Sequence, residues 1–122
     1  MARILLVDDD AAMREFVKRG LEIDGHEVVV ATEGAEVLSL LAAPGSAFDL
    51  LISDVQMPAM DGLSLARQIG RTRPRLPILL MSGFAVEQGL LKQTGARVVG
   101  LVSKPFTLDD IRAQAKQALA AV

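Results

Sequence analysis

The sequence predicts a doubly wound α/β sandwich built from five βα units, and three observations carry that expectation. Short apolar runs of strand length, several of them β-branched, recur five times along the chain. Between them, apolar residues return at three- and four-residue spacing, the period of a helix with one buried face. Gly and Pro punctuate most of the junctions.

The apolar runs are Arg3 to Val7, Glu27 to Ala31, Phe48 to Ser53, Pro77 to Met81 and Arg97 to Val102. The first, third and fourth are apolar almost throughout, as expected of strands buried on both faces of a parallel sheet. Helical periodicity follows in Met13, Phe16, Val17 and Leu21, in Val37, Leu38 and Leu41, and in Leu63, Leu65, Ala66 and Ile69. Gly20 and Gly25 are expected to loosen or end the first helix, Pro44-Gly45-Ser46 the second, and Gly95 the fourth. Pro74 and Pro77 bracket the turn after the third. The fourth helix, from Val86 to Thr94, carries Gly89 in its interior and is the weakest of the five. The last is expected to start after Thr107, an N-cap with Asp109 and Asp110 in its first turn, and to run to the chain end.

At 122 residues the chain has room for one domain with a real core, read as residues 1–122 with no output domain. Hydrophobic residues make up 51% and charged residues 23%, which excludes a disordered chain. Thirteen Lys and Arg against fifteen Asp and Glu, with no basic cluster interleaved with aromatics, argue against nucleic acid as a partner. The lack of Cys excludes disulfides and thiolate metal sites and suits a cytoplasmic location. Ile4-Leu5-Leu6-Val7 is too short for a membrane span or a signal-peptide core, so no membrane partner is expected.

In a doubly wound sheet the functional site lies off the carboxyl ends of the strands. Asp8-Asp9-Asp10 follows the first run, Asp54 the third, Ser82 the fourth and Ser103-Lys104-Pro105 the fifth. Each alone has an ordinary explanation as a helix cap or a strand end. Together they set one lysine against several carboxylates that would repel one another, a cost a structural loop has no reason to carry. A hard divalent cation such as Mg²⁺, which takes one or two carboxylates and keeps water and phosphate as further ligands, relieves it. His26, between Gly25 and Glu27, is expected to be an exposed turn residue away from the acidic end. It is therefore no phosphohistidine donor, and a phosphoryl group has to come from elsewhere.

Val7-Asp8-Asp9-Asp10, the stretch Asp54-Val55-Gln56-Met57-Pro58-Ala59-Met60-Asp61-Gly62, Met81-Ser82-Gly83 and Ser103-Lys104-Pro105-Phe106 resemble, in order, the signatures of two-component response-regulator receiver domains. The resemblance covers nearly the whole chain, and the D-x-x-M-P-x-M-D-G stretch is its most specific part. It implies the flavodoxin-like fold, a parallel five-stranded sheet of order 2-1-3-4-5. It further implies Asp54 as phosphoacceptor, and Asp8, Asp9, Asp54 and the Gln56 carbonyl as the Mg²⁺ ligands, with Asp8 acting through water.

By the same resemblance Ser82 with Gly83 and Lys104 binds the phosphoryl oxygens, and the Lys104–Pro105 bond is cis. Gln56 and Phe84 flank the path of a hydrolytic water, with a hydrophobic anchor for its loop as the equal alternative for Phe84. Leu101 stands where many members carry an aromatic residue that reports phosphorylation. Asp10, Pro58, Asp61, Gly62 and Pro105 are assigned structural parts, and Met57, Met60 and Phe106 are expected in the core.

The implied function is that of a stand-alone receiver, phosphorylated by a sensor histidine kinase or a histidine phosphotransfer protein. It would bind a downstream protein through the face of the fourth helix, fifth strand and fifth helix. It would be no enzyme beyond its own phosphorylation and dephosphorylation. Two alternatives stay open here. One is a phosphorylation-independent adaptor. The other is a haloacid-dehalogenase-like phosphatase with Asp8 as nucleophile, which leaves the Asp54 motif unexplained and has only Asp109 and Asp110 as a later acidic pair. A flavin- or nucleotide-binding module wants a Gly- or hydroxyl-rich loop after the first strand, where three aspartates would repel phosphate.

Overall fold

In a computed structural model that describes residues 2–120, five strands and five helices alternate without exception. They are β1 (Arg3–Val7), α1 (Ala11–Ile23), β2 (Glu27–Ala31), α2 (Gly34–Ala42), β3 (Leu50–Asp54), α3 (Gly62–Thr72), β4 (Pro77–Ser82), α4 (Gln88–Gln93), β5 (Arg97–Ser103) and α5 (Leu108–Ala120). All strand pairs are parallel, and the sheet order is β2-β1-β3-β4-β5. This is the expected flavodoxin-like arrangement.

The apolar runs explain the layering. On β1, Leu5 and Val7 join one core cluster while Ile4 and Leu6 join the other, and β4 divides in the same way between Ile78 and Leu80 and between Leu79 and Met81. Successive side chains of a strand point to opposite faces, so a strand apolar at every position needs helices on both sides. Val17 and Leu21 of α1 and Ile111 and Ala115 of α5 cover one face. Val37 and Leu41 of α2, Leu65 and Ile69 of α3 and Leu91 of α4 cover the other. Met57 is buried among them, whereas Met60 and Phe106 are only partly buried against the clusters.

Helix ends follow their caps. Asp10 accepts hydrogen bonds from the amides of Ala12 at 2.9 Å and Met13 at 3.3 Å, and Asp61 accepts from Ser64 at 2.7 Å. Thr107 and Asp110 cap each other reciprocally at the start of α5, at 3.1 and 2.9 Å. Past α1, the Gly25 amide reaches the Glu22 carbonyl and the His26 amide reaches Leu21, a double closure that needs the positive φ of 82° at Gly25.

Four further expectations need correction. Gly20 neither loosens nor ends α1, which runs through it to Ile23; a Cβ there would lie 2.8 Å from Leu108 Cδ1, so the glycine serves the packing of α1 against α5. α4 starts at Gln88 rather than Val86, which puts Gly89 in the first turn and leaves a six-residue helix. β3 starts at Leu50, with Asp49 before it bonded through its carboxylate to the Arg3 amide at 2.8 Å. His26 is half-buried, its Nδ1 accepting from the Ala2 amide at 3.1 Å. That bond lies beside the start of β1, at the opposite end of the sheet from the aspartates. The expected run of the last helix to the chain end falls, beyond Ala120, outside the described residues.

Candidate functional site

β1 and β3 are neighbours although an entire βα unit separates them in sequence, so the sheet reverses its winding direction between them. Asp8 follows the last residue of β1, and Asp54 is the last of β3. Both are buried, Asp8 fully and Asp54 to 4% exposure, while Asp9 projects into solvent. Ligand oxygens of the three carboxylates lie within 4.8 Å of one another. Lys104 arrives from β5, the second strand over, and its Nζ donates to Asp54 Oδ2 at 2.9 Å. The Lys104–Pro105 peptide is cis.

The two buried carboxylates differ in their partners. Asp54 spends one oxygen on Lys104 and accepts the Gln56 amide on the other at 3.2 Å. Asp8 accepts the Asp10 amide on Oδ1 at 2.9 Å, but Oδ2 has no hydrogen-bond partner, and Lys104 Nζ stands off at 3.9 Å. Burial pushes the Asp8 carboxyl above its ordinary range, and the charges of Asp54 and Asp9 push the same way, against the Asp10 amide and Lys104. A buried oxygen aimed into an acidic cluster without a donor is what a hard cation satisfies. The oxygen-only donor set, with no thiolate or imidazole in it, fits a hard divalent cation of the Mg²⁺ type.

The segment after Asp54 folds tightly around it. Val55 donates to the Met81 carbonyl at 2.8 Å, and Gly62 donates back to Val55 at 2.8 Å. A Cβ on Gly62 would lie 2.4 Å from the Asp54 carbonyl oxygen and 2.9 Å from Val55 Cα, so only glycine lets α3 start this close to the strand end. Within the loop, Ala59 takes a positive φ of 67° and Met60 donates to the Pro58 carbonyl at 2.7 Å.

Ser82 ends β4, with 1% exposure. Its hydroxyl donates to the Phe84 carbonyl at 2.8 Å and accepts the Phe84 amide at 3.1 Å, so it is engaged with its own loop and not with Asp54. Lys104 is tied to the same strand end, its amide donating to the Ser82 carbonyl at 2.8 Å. Gly83 is exposed beside Gln56, whose Oε1 would be 3.7 Å from a Cβ there. Phe84 is 48% exposed and, with Val55, Gln56, Met57, Pro58, Asp61 and Leu63, lines a groove of about 430 Å³ next to the acidic cluster. Leu101 packs half-buried against the α2–α3–α4 side of the core. Asp109 and Asp110 are exposed at the start of α5. They offer no second acidic pair to a nucleophile at Asp8.

A larger hollow of about 530 Å³ lies elsewhere, between Asp24, His26 and the α5 residues Asp109, Arg112 and Lys116. It is an ion-paired surface cleft, in which Arg112 grips Asp24 at 2.7 Å and holds that carboxyl below the usual range. The chemistry gathers instead at the shallow acidic end. Sequence reasoning did not single out Arg14, whose Nη1 donates to the Asp8 carbonyl at 2.8 Å. The available signal was one arginine in the helical turn that follows an acidic strand end.

A five-stranded doubly wound sheet with two buried aspartates, a third at the rim and a lysine over them defines a receiver-type acidic pocket. Comparison with known proteins gives the same class. Residues 4–116 match the family model described as the response regulator receiver domain. The chain is 36% identical over 117 residues to the response regulator MprA of Mycobacterium avium and, at the same identity, to MprA of Mycobacterium tuberculosis, covering 96% of this chain and 50% of each relative. It thus spans about half the length of these curated relatives. Among solved structures, a response regulator receiver domain protein from Clostridium thermocellum superposes with a TM-score of 0.86 at 28% identity, covering 99% of this chain and 96% of that one. The chemotaxis response regulator CheY4 of Vibrio cholerae superposes at 0.85 with 30% identity, covering 97% and 98%. The chain belongs to the response regulator receiver domain family of two-component systems. Among the described residues no helix is long and apolar enough to cross a membrane.

Proposed function

We propose that this receiver accepts a phosphoryl group on Asp54, with Mg²⁺ held by Asp8, Asp9, Asp54 and the Gln56 carbonyl, and signals by phosphorylation-dependent binding of a partner. The observation that carries the reading is the pair of buried carboxylates, Asp54 bonded to Lys104 at 2.9 Å and Asp8 left with an unpartnered oxygen beside it. The donor is a histidine kinase or phosphotransfer protein in the cytoplasm. An Asp54 carboxylate oxygen forms the new O–P bond as the P–N bond to the donor imidazole breaks. When bound, Mg²⁺ supplies charge neutralisation at the transferring oxygens. Lys104 supplies the second positive charge, and the tight turn to Gly62 keeps Asp54 aimed outward from the strand end. Catalysis ends with the domain's own phosphorylation and dephosphorylation. Gln56 and Phe84, at the rim, tune the approach of the hydrolytic water.

Transmission starts from Ser82. To bond a phosphoryl oxygen its hydroxyl must withdraw its one hydrogen from the Phe84 carbonyl, giving up a neutral hydrogen bond worth about 1 kcal/mol, and a second of the same size where the swing also frees the Phe84 amide. A charge-assisted bond to the phosphoryl group, worth about 1.5–3 kcal/mol, offsets that loss. The two arrangements are therefore close in energy, and phosphorylation decides between them. Gly83-Phe84-Ala85 moves with the hydroxyl and carries the change to the short α4 and the α4–β5–α5 face, where the partner docks; Leu101 has no hydroxyl to contribute.

The test is amide chemical shifts with and without beryllofluoride and Mg²⁺, an acyl-phosphate mimic. Wild-type signals from residues 82–94 and 98–102 are expected to shift only when both are present. Ser82→Ala is expected to keep the shifts around Asp54 and lose those in α4 and β5. Shifts that survive at the far face in Ser82→Ala refute the route, and no shift anywhere in the wild type favours a phosphorylation-independent adaptor.

A further inference from the structure

Arg14 lies in the first turn of α1, half-buried, and its guanidinium Nη1 donates to the main-chain carbonyl of Asp8 at 2.8 Å. That carbonyl belongs to the peptide joining Asp8 to Asp9, two of the three carboxylates that close to within 4.8 Å. A peptide unit is planar, so a bond that fixes the carbonyl direction also fixes the direction in which the chain leaves for Asp9. The following turn is held from the other side, by Asp8 Oδ1 on the Asp10 amide and by the Arg14 amide on the Asp10 carbonyl at 2.9 Å.

Charge neutralisation is not what the geometry displays. Arg14 takes part in none of the ion pairs of the described residues, although three aspartates stand in the turn just before its helix. The guanidinium grips a neutral carbonyl, and Lys104 takes the carboxylates.

We propose that Arg14 is a positioning residue for the Mg²⁺ site, holding the Asp8–Asp9 peptide so that Asp9 reaches the cation together with buried Asp8 and Asp54. The proposal rests on the receiver reading and adds to it a residue outside the acidic and Lys–Pro motifs. It has a distinguishing sign. A positive side chain that acts only through its charge repels a bound cation, so its removal would tighten Mg²⁺ binding. A clamp that orients a ligand does the opposite.

The experiment compares the full chain with Arg14→Met, which keeps an apolar stem on α1 but has no donor, and with Arg14→Lys, which keeps a donor and the charge. Mg²⁺ is titrated against the amide signals of residues 8–10, and thermal melts in chelator verify that each variant folds. Arg14→Met is expected to raise the Mg²⁺ Kd about tenfold, the usual scale for a group that orients a metal ligand. Arg14→Lys is expected to recover most of that loss. An unchanged or lower Kd in Arg14→Met overturns the proposal, as does a Kd in Arg14→Lys as high as in Arg14→Met. Should Arg14→Met not fold, the proposal stands or falls on Arg14→Leu, which likewise has no donor, measured in the same way. Absence of saturable Mg²⁺ binding in the wild type would instead remove the metal-dependent reading of the site, a separate result.

Discussion

Asp8→Asn is expected to melt at a higher temperature than the wild-type chain in chelator at neutral pH, and to gain nothing from Mg²⁺. Asn keeps the acceptor that holds the Asp10 amide and replaces the unpartnered Oδ2 with a neutral group. The variant loses the buried negative charge that burial and the charges of Asp54 and Asp9 disfavour, and a stabilisation on the order of 1–3 kcal/mol is expected. The pH dependence fixes the origin of the effect. The Asp8 carboxyl is raised in the fold by burial and by neighbouring carboxylates. Below the unfolded value of 3.8 both states are protonated and the wild type carries no penalty. As pH rises from there through the folded value, the unfolded chain binds fewer protons than the folded one, so wild-type stability falls and then levels off. The advantage of Asp8→Asn should thus be absent in acid and grow as pH rises through the folded value of Asp8. Saturating Mg²⁺ should reverse the order: at about a thousand times Kd, wild type gains about 4.1 kcal/mol that the variant lacks. Melts across pH, with chelator and with Mg²⁺, test both halves. A variant no more stable than wild type in chelator would show that Asp8 is not the strained carboxylate.

Gly62→Ala carries the other large effect. Its Cβ would meet the backbone of Asp54 and Val55, at 2.4 and 2.9 Å, and no flexible side chain is there to yield. Either α3 retreats or the peptide carrying Asp54 turns. Overpacking against backbone costs typically about 1–3 kcal/mol and occasionally more, and a loss near 3 kcal/mol in urea unfolding is expected here. Phosphorylation of Asp54 should fall as well, because the same contact sets the direction of the carboxylate. Asp61→Ala is the control. It removes the α3 cap bonded to Ser64 but not the close approach, so it should cost about 1 kcal/mol and leave phosphorylation intact. Equal phosphorylation in Gly62→Ala and wild type would mean that the start of α3 does not position Asp54.

Much of this architecture was legible in the sequence because the physics that fixes it is local. Nearly unbroken apolar runs in β1, β3 and β4 require a sheet covered on both faces, and Asp10, Asp61 and Thr107 announce their helices by capping them. The gathering of Asp8, Asp9, Asp54 and Lys104 could be inferred from strand ends, and the resemblance of their motifs to the receiver family named their roles. What stayed hidden depends on contacts distant in sequence or on atoms rather than residue types. Gly20 reads as a helix breaker until Leu108 is seen against it, 88 residues away. The Ala2 amide on His26 Nδ1 joins two chain segments that no periodicity connects. α4 loses its expected first turn because Gly83 to Glu87 runs on as loop from the Ser82–Phe84 pair. The guanidinium of Arg14 acts on a backbone oxygen, and no side-chain motif encodes that.

The most direct measurement of the central claim is intact-mass analysis after exposure to acetyl phosphate, with and without Mg²⁺, for wild type and Asp54→Asn. In this reaction the P–O bond to acetate breaks as Asp54 takes the phosphoryl group. The account predicts a mass gain of one phosphoryl group on the wild type, only with Mg²⁺, lost again in hydroxylamine as an acyl phosphate should be, and no gain on Asp54→Asn. A label that persists on Asp54→Asn, or that forms equally in chelator, contradicts it.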